Sequence, residues 1–198
     1  MSKKNKIKSF KRATKILLFT NWLVLIAAAM LAPIYAIFVD KIWWDLMDAS
    51  LAWWIFALAA WITSFISWKF TDRLKKKTHI VVFWYFLMWL GFFLYTIVDN
   101  VIFLFCVQAL IWFWEAIYSP SFDALYWNNI NKKQKWLEWW AWESMNYFTI
   151  ALWSFIWWIM VTYLWFNSIF IFMWFLCIWS GSYLYIISKK SKCSIKQK

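Results

Sequence analysis

Residues 51–98 read LAWWIFALAAWITSFISW, then KFTDRLKKKTH, then IVVFWYFLMWLGFFLYTIV. Two uncharged apolar stretches flank one polar segment that carries Lys69, Arg73, Lys75, Lys76 and Lys77. Each flank approaches the roughly 20 residues that a helix needs to cross the hydrocarbon core of a bilayer. Working outward, the same pattern recurs as Ile16–Val39, Leu51–Trp68, Ile80–Val98, Val101–Tyr126, Trp139–Leu164 and Ser168–Ile187. The composition agrees: of 198 residues, 65% are hydrophobic and only 15% charged. A soluble domain is about half apolar and a quarter charged. This chain has too little polar surface to cover itself in water, and it is too apolar to be disordered. The expected fold is all-α, a polytopic membrane protein with a bundle of six transmembrane helices over residues 16–188. Basic tails flank it at 1–15 and 189–198.

The placement of charge sets the topology. The formal net charge is +12, and four clusters hold all but one of the 21 bases. They are the tail from Lys3 to Lys15, the segment Lys69–Lys77, the trio Lys132, Lys133 and Lys135, and the tail from Lys189 to Lys198. The alternate connections hold Asp40, Asp45, Asp48 and Asp99, with Lys41 as their single base. Bases confined to every second loop obey the positive-inside rule. The chain is therefore expected in the inner membrane, with six spans and both termini cytoplasmic. The clusters read as topology signals and contacts with lipid headgroups. No aromatic or Gly-rich recognition pattern within them points to nucleic acid. The first span is too long for the apolar core of a signal peptide, and five more follow.

Gly occurs twice and Trp 22 times. Trp in membrane proteins belongs at the interfaces. Here Trp61, Trp89, Trp112, Trp114, Trp153, Trp157 and Trp174 fall in mid-span. In the second stretch Trp53, Ala57, Trp61, Ser64 and Trp68 share one helix face. Small residues on such a face let two helices approach closely, and an indole at every other step defeats that approach. Glycine at the Trp positions would make the face uniformly small. Some bacteria read UGA as glycine, whereas other codes read it as tryptophan. A gene translated with the wrong table would give this pattern, and Lys outnumbering Arg 19 to 2 fits an AT-rich genome. Most of these Trp are therefore expected to be glycine in the cell, with Trp139 and Trp142 as candidates for genuine tryptophan. The competing reading is a truly Trp-rich protein.

With glycine at Trp68, the segment Trp68-Lys69-Phe70-Thr71-Asp72-Arg73-Leu74-Lys75-Lys76-Lys77 resembles the signature G-x-x-x-D-R-x-G-R-R of the major facilitator superfamily, between its second and third helices. The sequence departs from it at Lys75, where the family prefers Gly. Ala32-Pro33-Ile34-Tyr35 is similar to the proline region of the first helix. Gln108 to Ala116 and then Ser119-Pro120 are similar to the fourth, with Gln108 where the family has Arg. Lys135-Trp136 looks like the family's E-R-G before helix five. The resemblance spans nearly the whole chain and matches the amino-terminal six-helix half of a twelve-helix carrier. It implies that Trp68, Asp72, Arg73, Lys76 and Lys77 form a gating loop. Its Asp-Arg pair would hold one conformation through salt bridges, with Asp123 a candidate partner of Arg73. A solvated charge cluster that only fixes topology is the plainer alternative.

Polar groups inside the spans mark the candidate cavity. A charge at mid-bilayer costs roughly 2.5–3.5 kcal/mol on the insertion scale, so it faces a cavity or a partner. Glu115 lies 14 residues into the fourth span, expected past the midplane towards the cytoplasm. Gln108 shares its face seven residues earlier. Glu143, Asn146 and Tyr147 fall at i, i+3 and i+4 of the fifth span, and Asn21 and Tyr35 lie near one face of the first. These seven residues are the candidate substrate and proton cavity, or else they tie helices together. Alternating access needs two bundles around a midplane site. A second six-helix half, a homodimer or a truncated product follows as the expectation. A non-transporting six-helix scaffold is the rival reading.

An enzyme lacks its tools. No Ser-His pair, metal-ligand spacing or phosphate-binding Gly loop occurs. His79 lies at a span end, Cys106 and Cys177 lie within spans, and Cys193 lies in the tail. No cofactor or metal is expected; the partners are the lipid bilayer and a small solute. An impermeant thiol reagent should leave Cys193 unmodified in intact cells and modify it after permeabilisation. Labelling from outside would reverse the topology.

Overall fold

In hydrocarbon a backbone finds no water, so each N–H and C=O must be satisfied within its own segment. Long apolar runs therefore become long helices. The computed structural model describes residues 9–40, 76–163 and 166–189, isolated positions between 47 and 67, and residue 195. It is all-helical, and among the described residues there is no strand. Helix α1 spans Arg12–Asp40, α2 Lys77–Tyr95, α3 Val101–Asn129, α4 Lys135–Tyr163 and α5 Phe166–Lys189. A short 3-10 turn, Lys132–Gln134, joins α3 to α4. The described residues of the second apolar stretch, among them 57–58 and 60–63, are helical as well.

The ends are set by local chemistry. Asn100 caps α3, its Oδ1 accepting the Phe103 N–H at 2.8 Å. Asn is a preferred residue there because its short side chain reaches an orphan N–H of the first turn. Asn131 plays the same part for the 3-10 turn, accepting the Lys133 N–H at 3.2 Å. Pro120 sits inside α3, where it lacks the N–H that would bond one turn back.

Among the described residues, four segments are long and apolar enough to cross a membrane: Arg12–Ala29, Lys77–Tyr95, Ile102–Asn129 and Ser168–Lys189. Six spans were expected. The second stretch lies largely outside the described residues. Helix α4 has the length, at 29 residues, but its first half carries Glu138, Glu143, Ser144 and Asn146. Helix α3 also runs three residues further than expected, to Asn129, so Glu115 stands at its centre rather than nearer one end.

Helix α1 packs against α4 and α5, and α2 packs against α3 and α5. The interior is built by Leu17, Val24 and Ala27 of α1, Val81, Tyr85 and Phe92 of α2, Leu104 and Leu125 of α3, and Phe170 and Met173 of α5. Helix α4 adds only partly buried rings such as Trp139, Trp142 and Trp153 to that core. Its connection to α1 includes a hydrogen bond from Ser154 Oγ to the Ala29 carbonyl at 3.0 Å. Much of the apolar side-chain surface faces outward, including Phe65, Phe83, Phe93, Phe113, Phe155 and Phe172. A surface this apolar suits lipid and not water.

The two glycines lie where helices come closest. A Cβ on Gly91 would stand 2.5 Å from Ile111 Cδ1, across the contact of α2 with α3. One on Gly181 would meet Tyr85 and Phe86 at 3.4 Å, across the contact of α5 with α2. Gly91→Leu should therefore cost about 1–3 kcal/mol through overpacking, and Gly181→Ala less. Unfolding in mixed micelles measures both. Equal losses would mean that α2 and α3 are not in this close contact.

Candidate functional site

A membrane helix pays for every buried polar side chain, so buried hydrogen bonds between helices locate the places where structure or function requires one. Asn21 of α1 is 3% exposed. Its Oδ1 accepts the Tyr85 hydroxyl of α2 at 3.3 Å and also accepts the Tyr118 hydroxyl of α3. One residue earlier, the Thr20 carbonyl accepts the Ser180 hydroxyl of α5 at 2.6 Å. Thr20 returns its own hydroxyl to the Ile16 carbonyl at 3.0 Å. Four helices thus meet in one polar layer.

The depth of this layer follows from helix geometry. Asn21 and Tyr85 lie a little over two turns after the starts of α1 and α2, at Arg12 and Lys77. Tyr118 and Ser180 lie about as far before the ends of α3 and α5, at Asn129 and Lys189. At 1.5 Å per residue all four stand about 12–17 Å from those ends. The hydrocarbon core is about 30 Å thick, so the layer falls near its middle. The same contacts gather the basic groups Lys11, Arg12, Lys76, Lys77, Lys132, Lys133 and Lys189 on one side of the bundle. Asp99 and Asn100 lie on the other.

Of the seven residues proposed for a cavity, Asn21 is at the centre of this layer. Gln108 is buried, and its Oε1 has no hydrogen-bond partner among the described residues. It sits about 15 Å along α3 from Tyr118, so the two do not share one site. Glu143 and Asn146 are half-buried, and Asn146 Oδ1 also lacks a partner among the described residues. Glu115 and Tyr147 are exposed, Tyr147 by 69%. The Tyr35 side chain lies outside the described residues.

In the gating group, Trp68, Asp72 and Arg73 also lie outside them. Lys76 is exposed, and Lys77 is buried at the start of α2. Asp123 is half-buried, and Glu143 of α4 comes within Coulombic range of it. Nearer the basic ends, the Tyr126 hydroxyl donates to the Glu138 carbonyl at 2.6 Å, and Gln134 Nε2 donates to Glu138 Oε1 at 3.1 Å.

Tyr85, Tyr118 and Ser180 were not legible as site residues. A signal existed for the two tyrosines: Tyr, like Trp, is enriched at membrane interfaces, and both fall in mid-span. The crowd of other aromatic residues hid it. The hydroxyl and amide groups of the layer are neutral and bond one another between helices. Among the described residues no group of three His, Cys, Asp or Glu could hold a metal ion.

The aromatic rings take two environments. Trp54, Trp61, Trp136, Trp140 and Trp179 are exposed by 61% or more. Trp84 is buried and lies flat on Tyr118, with ring centroids 3.9 Å apart. The indole N–H groups of Trp84, Trp89, Trp142 and Trp174 are buried with no hydrogen-bond partner among the described residues.

No protein-family model matches the chain, and no curated protein matches it.

Asn21→Ala would remove the acceptor that two buried hydroxyls share and should cost about 1–3 kcal/mol. Tyr118→Phe removes one hydrogen bond between helices and should cost about 0.6 kcal/mol. The double variant should then lose less than the sum of the two. Strict additivity in micelle unfolding would dissolve the proposed network.

Proposed function

We propose that this chain is a six-helix half of a major facilitator-type secondary transporter, moving a small solute across the membrane by alternating access. The observation that carries this reading is the division of its intramembrane polar groups. Asn21, Tyr85 and Tyr118 tie the interior together, whereas Glu115 and Tyr147 stand on the open surface of α3 and α4. A carboxylate at the centre of a long apolar helix costs roughly 2.5–3.5 kcal/mol if it faces lipid. A second bundle against that surface would enclose Glu115 and turn the surface into a cavity wall. Helix α4 leaves Trp140, Phe148 and Phe155 uncovered as well, which gives the second bundle apolar area to bury. A homodimer and a separately encoded half meet this requirement equally well. The gathering of basic groups on one side supports an inner-membrane protein with cytoplasmic termini. The signature segment from Trp68 to Lys77 supports the choice of family.

The test is access to position 115. In a background of Cys106→Ser, Cys177→Ala and Cys193→Ser, Glu115→Cys should react with an impermeant methanethiosulfonate. Polar solutes that the carrier recognises should slow that reaction. A thiol that stays unreactive from both sides would place this surface in lipid and favour a non-transporting scaffold.

We further propose that most of the tryptophans stand where the living protein has glycine. The buried indole N–H groups of Trp84, Trp89 and Trp174, which have no partner among the described residues, favour this reading, since each such donor costs about 1–3 kcal/mol. Glycine at position 84 would also free the volume that the indole fills beside Tyr118, next to Asn21. The coding sequence and the intact mass of the native protein decide it. UGA codons and a lighter chain are expected. UGG at positions 53, 61 and 68 would end the idea.

A further inference from the structure

A lysine side chain near a bilayer surface normally spreads its ammonium group into water, away from like charges. Where the start of α1 meets the connection from α3 to α4, several are instead drawn around one hollow. A cavity of about 700 Å³ is lined by Lys11, Asn128, Asn131, Lys132, Lys133 and Lys135, with Trp127 and Ile130 completing its wall. The connection is held in place by the start of α1. Lys11 Nζ donates to the Ile130 carbonyl at 2.9 Å, and the buried Thr14 hydroxyl donates to the Asn129 carbonyl at 3.1 Å. Asn131 fixes the 3-10 turn that presents Lys132 and Lys133. Lys135 Nζ lies 5.7 Å from the centre of the Trp127 ring.

No carboxylate lines this cavity among the described residues. Glu138, the nearest acid along α4, is turned to Gln134 instead. Four lysines line one hollow, and like charges repel over a Debye length of about 8–10 Å unless an anion neutralises them. The cavity volume is within the range of about 300–1,000 Å³ that holds small ligands. It opens at the basic ends of the helices, the level at which lipid headgroups would lie around a spanning bundle.

We propose that this cavity binds a phosphate group, with Lys11, Lys132, Lys133 and Lys135 pairing its oxygens and the amides of Asn128 and Asn131 donating to them. The phosphate comes from an anionic phospholipid headgroup or from free phosphate. The site does not depend on the chain being a transporter. It also does not depend on Trp127, since the lysines and asparagines supply the recognition.

The test uses the full-length protein in detergent, titrated by native mass spectrometry with phosphatidylglycerol, phosphatidylcholine and inorganic phosphate. Phosphatidylglycerol should bind in preference to phosphatidylcholine. The triple variant Lys132→Gln/Lys133→Gln/Lys135→Gln should weaken that binding by about fivefold for each charge removed. The variant Lys189→Gln/Lys190→Gln/Lys192→Gln, equal in charge but distant in sequence, should bind as the parent does. Binding of phosphatidylglycerol alone identifies the headgroup as the source, and binding of inorganic phosphate alone identifies the free ion. Failure to bind either probe overturns the proposal. So does equal binding by the first variant, or an equal loss in both variants, which would be a diffuse charge effect. All the exchanged lysines that are described are exposed, so folding should survive, and an unchanged elution volume checks it.

Discussion

A polypeptide in hydrocarbon has only itself to bond with, and the rest of this structure answers that constraint. Helices satisfy the backbone segment by segment. They leave each polar side chain within a span to find a partner on a neighbouring helix. Asn21 meets that demand for three helices at once, because one amide oxygen has the lone pairs to accept two hydroxyls. Ser180 brings in the fourth helix by donating to a carbonyl that its own helix already uses. The layer therefore holds α1, α2, α3 and α5 at one mutual depth. It does so with neutral groups, which avoid the cost of desolvating a charge.

Helix α4 stands apart from this arrangement. Among the described residues it adds no fully buried apolar residue to the core, and it packs on α1, to which Ser154 also bonds. Its first half is polar, and its Tyr147 is exposed, as is Glu115 of α3; on the proposed reading these groups meet a second bundle instead of acyl chains. A carrier made of two bundles needs such a surface. A single bundle in lipid would be expected to hide it.

The tryptophans bear on both points. An indole is a large apolar body with one donor, and at an interface that donor reaches water. Buried at positions 84, 89, 142 and 174 it reaches nothing among the described residues. The interior thus has volume filled by rings whose polar atom is unsatisfied, beside a hydrogen-bonded layer in which each hydroxyl is placed. Glycine at positions 84, 89 and 174 would remove three unmet donors, and at position 84 it would open space beside Tyr118.

The helical class and the rough extents of α1, α2, α3 and α5 were legible along the chain, because hydrophobicity over some 20 residues is a local property. So was the clustering of basic residues in four segments. That Asn21 is an amide within an apolar run was legible too. Its partners were not: Tyr85 and Tyr118 are 64 and 97 residues away in sequence, and only packing brings them to one oxygen. Helical phase placed Glu115 and Gln108 on one face, but exposure separates them, since Gln108 is buried and Glu115 is not. The lysine-lined hollow was likewise out of reach, as Lys11 meets Lys132 and Lys133 only when the start of α1 lies on the end of α3. Composition and spacing decide what each segment must become in lipid. Which polar atoms then share a partner depends on how the helices pack, and that is written in no single segment.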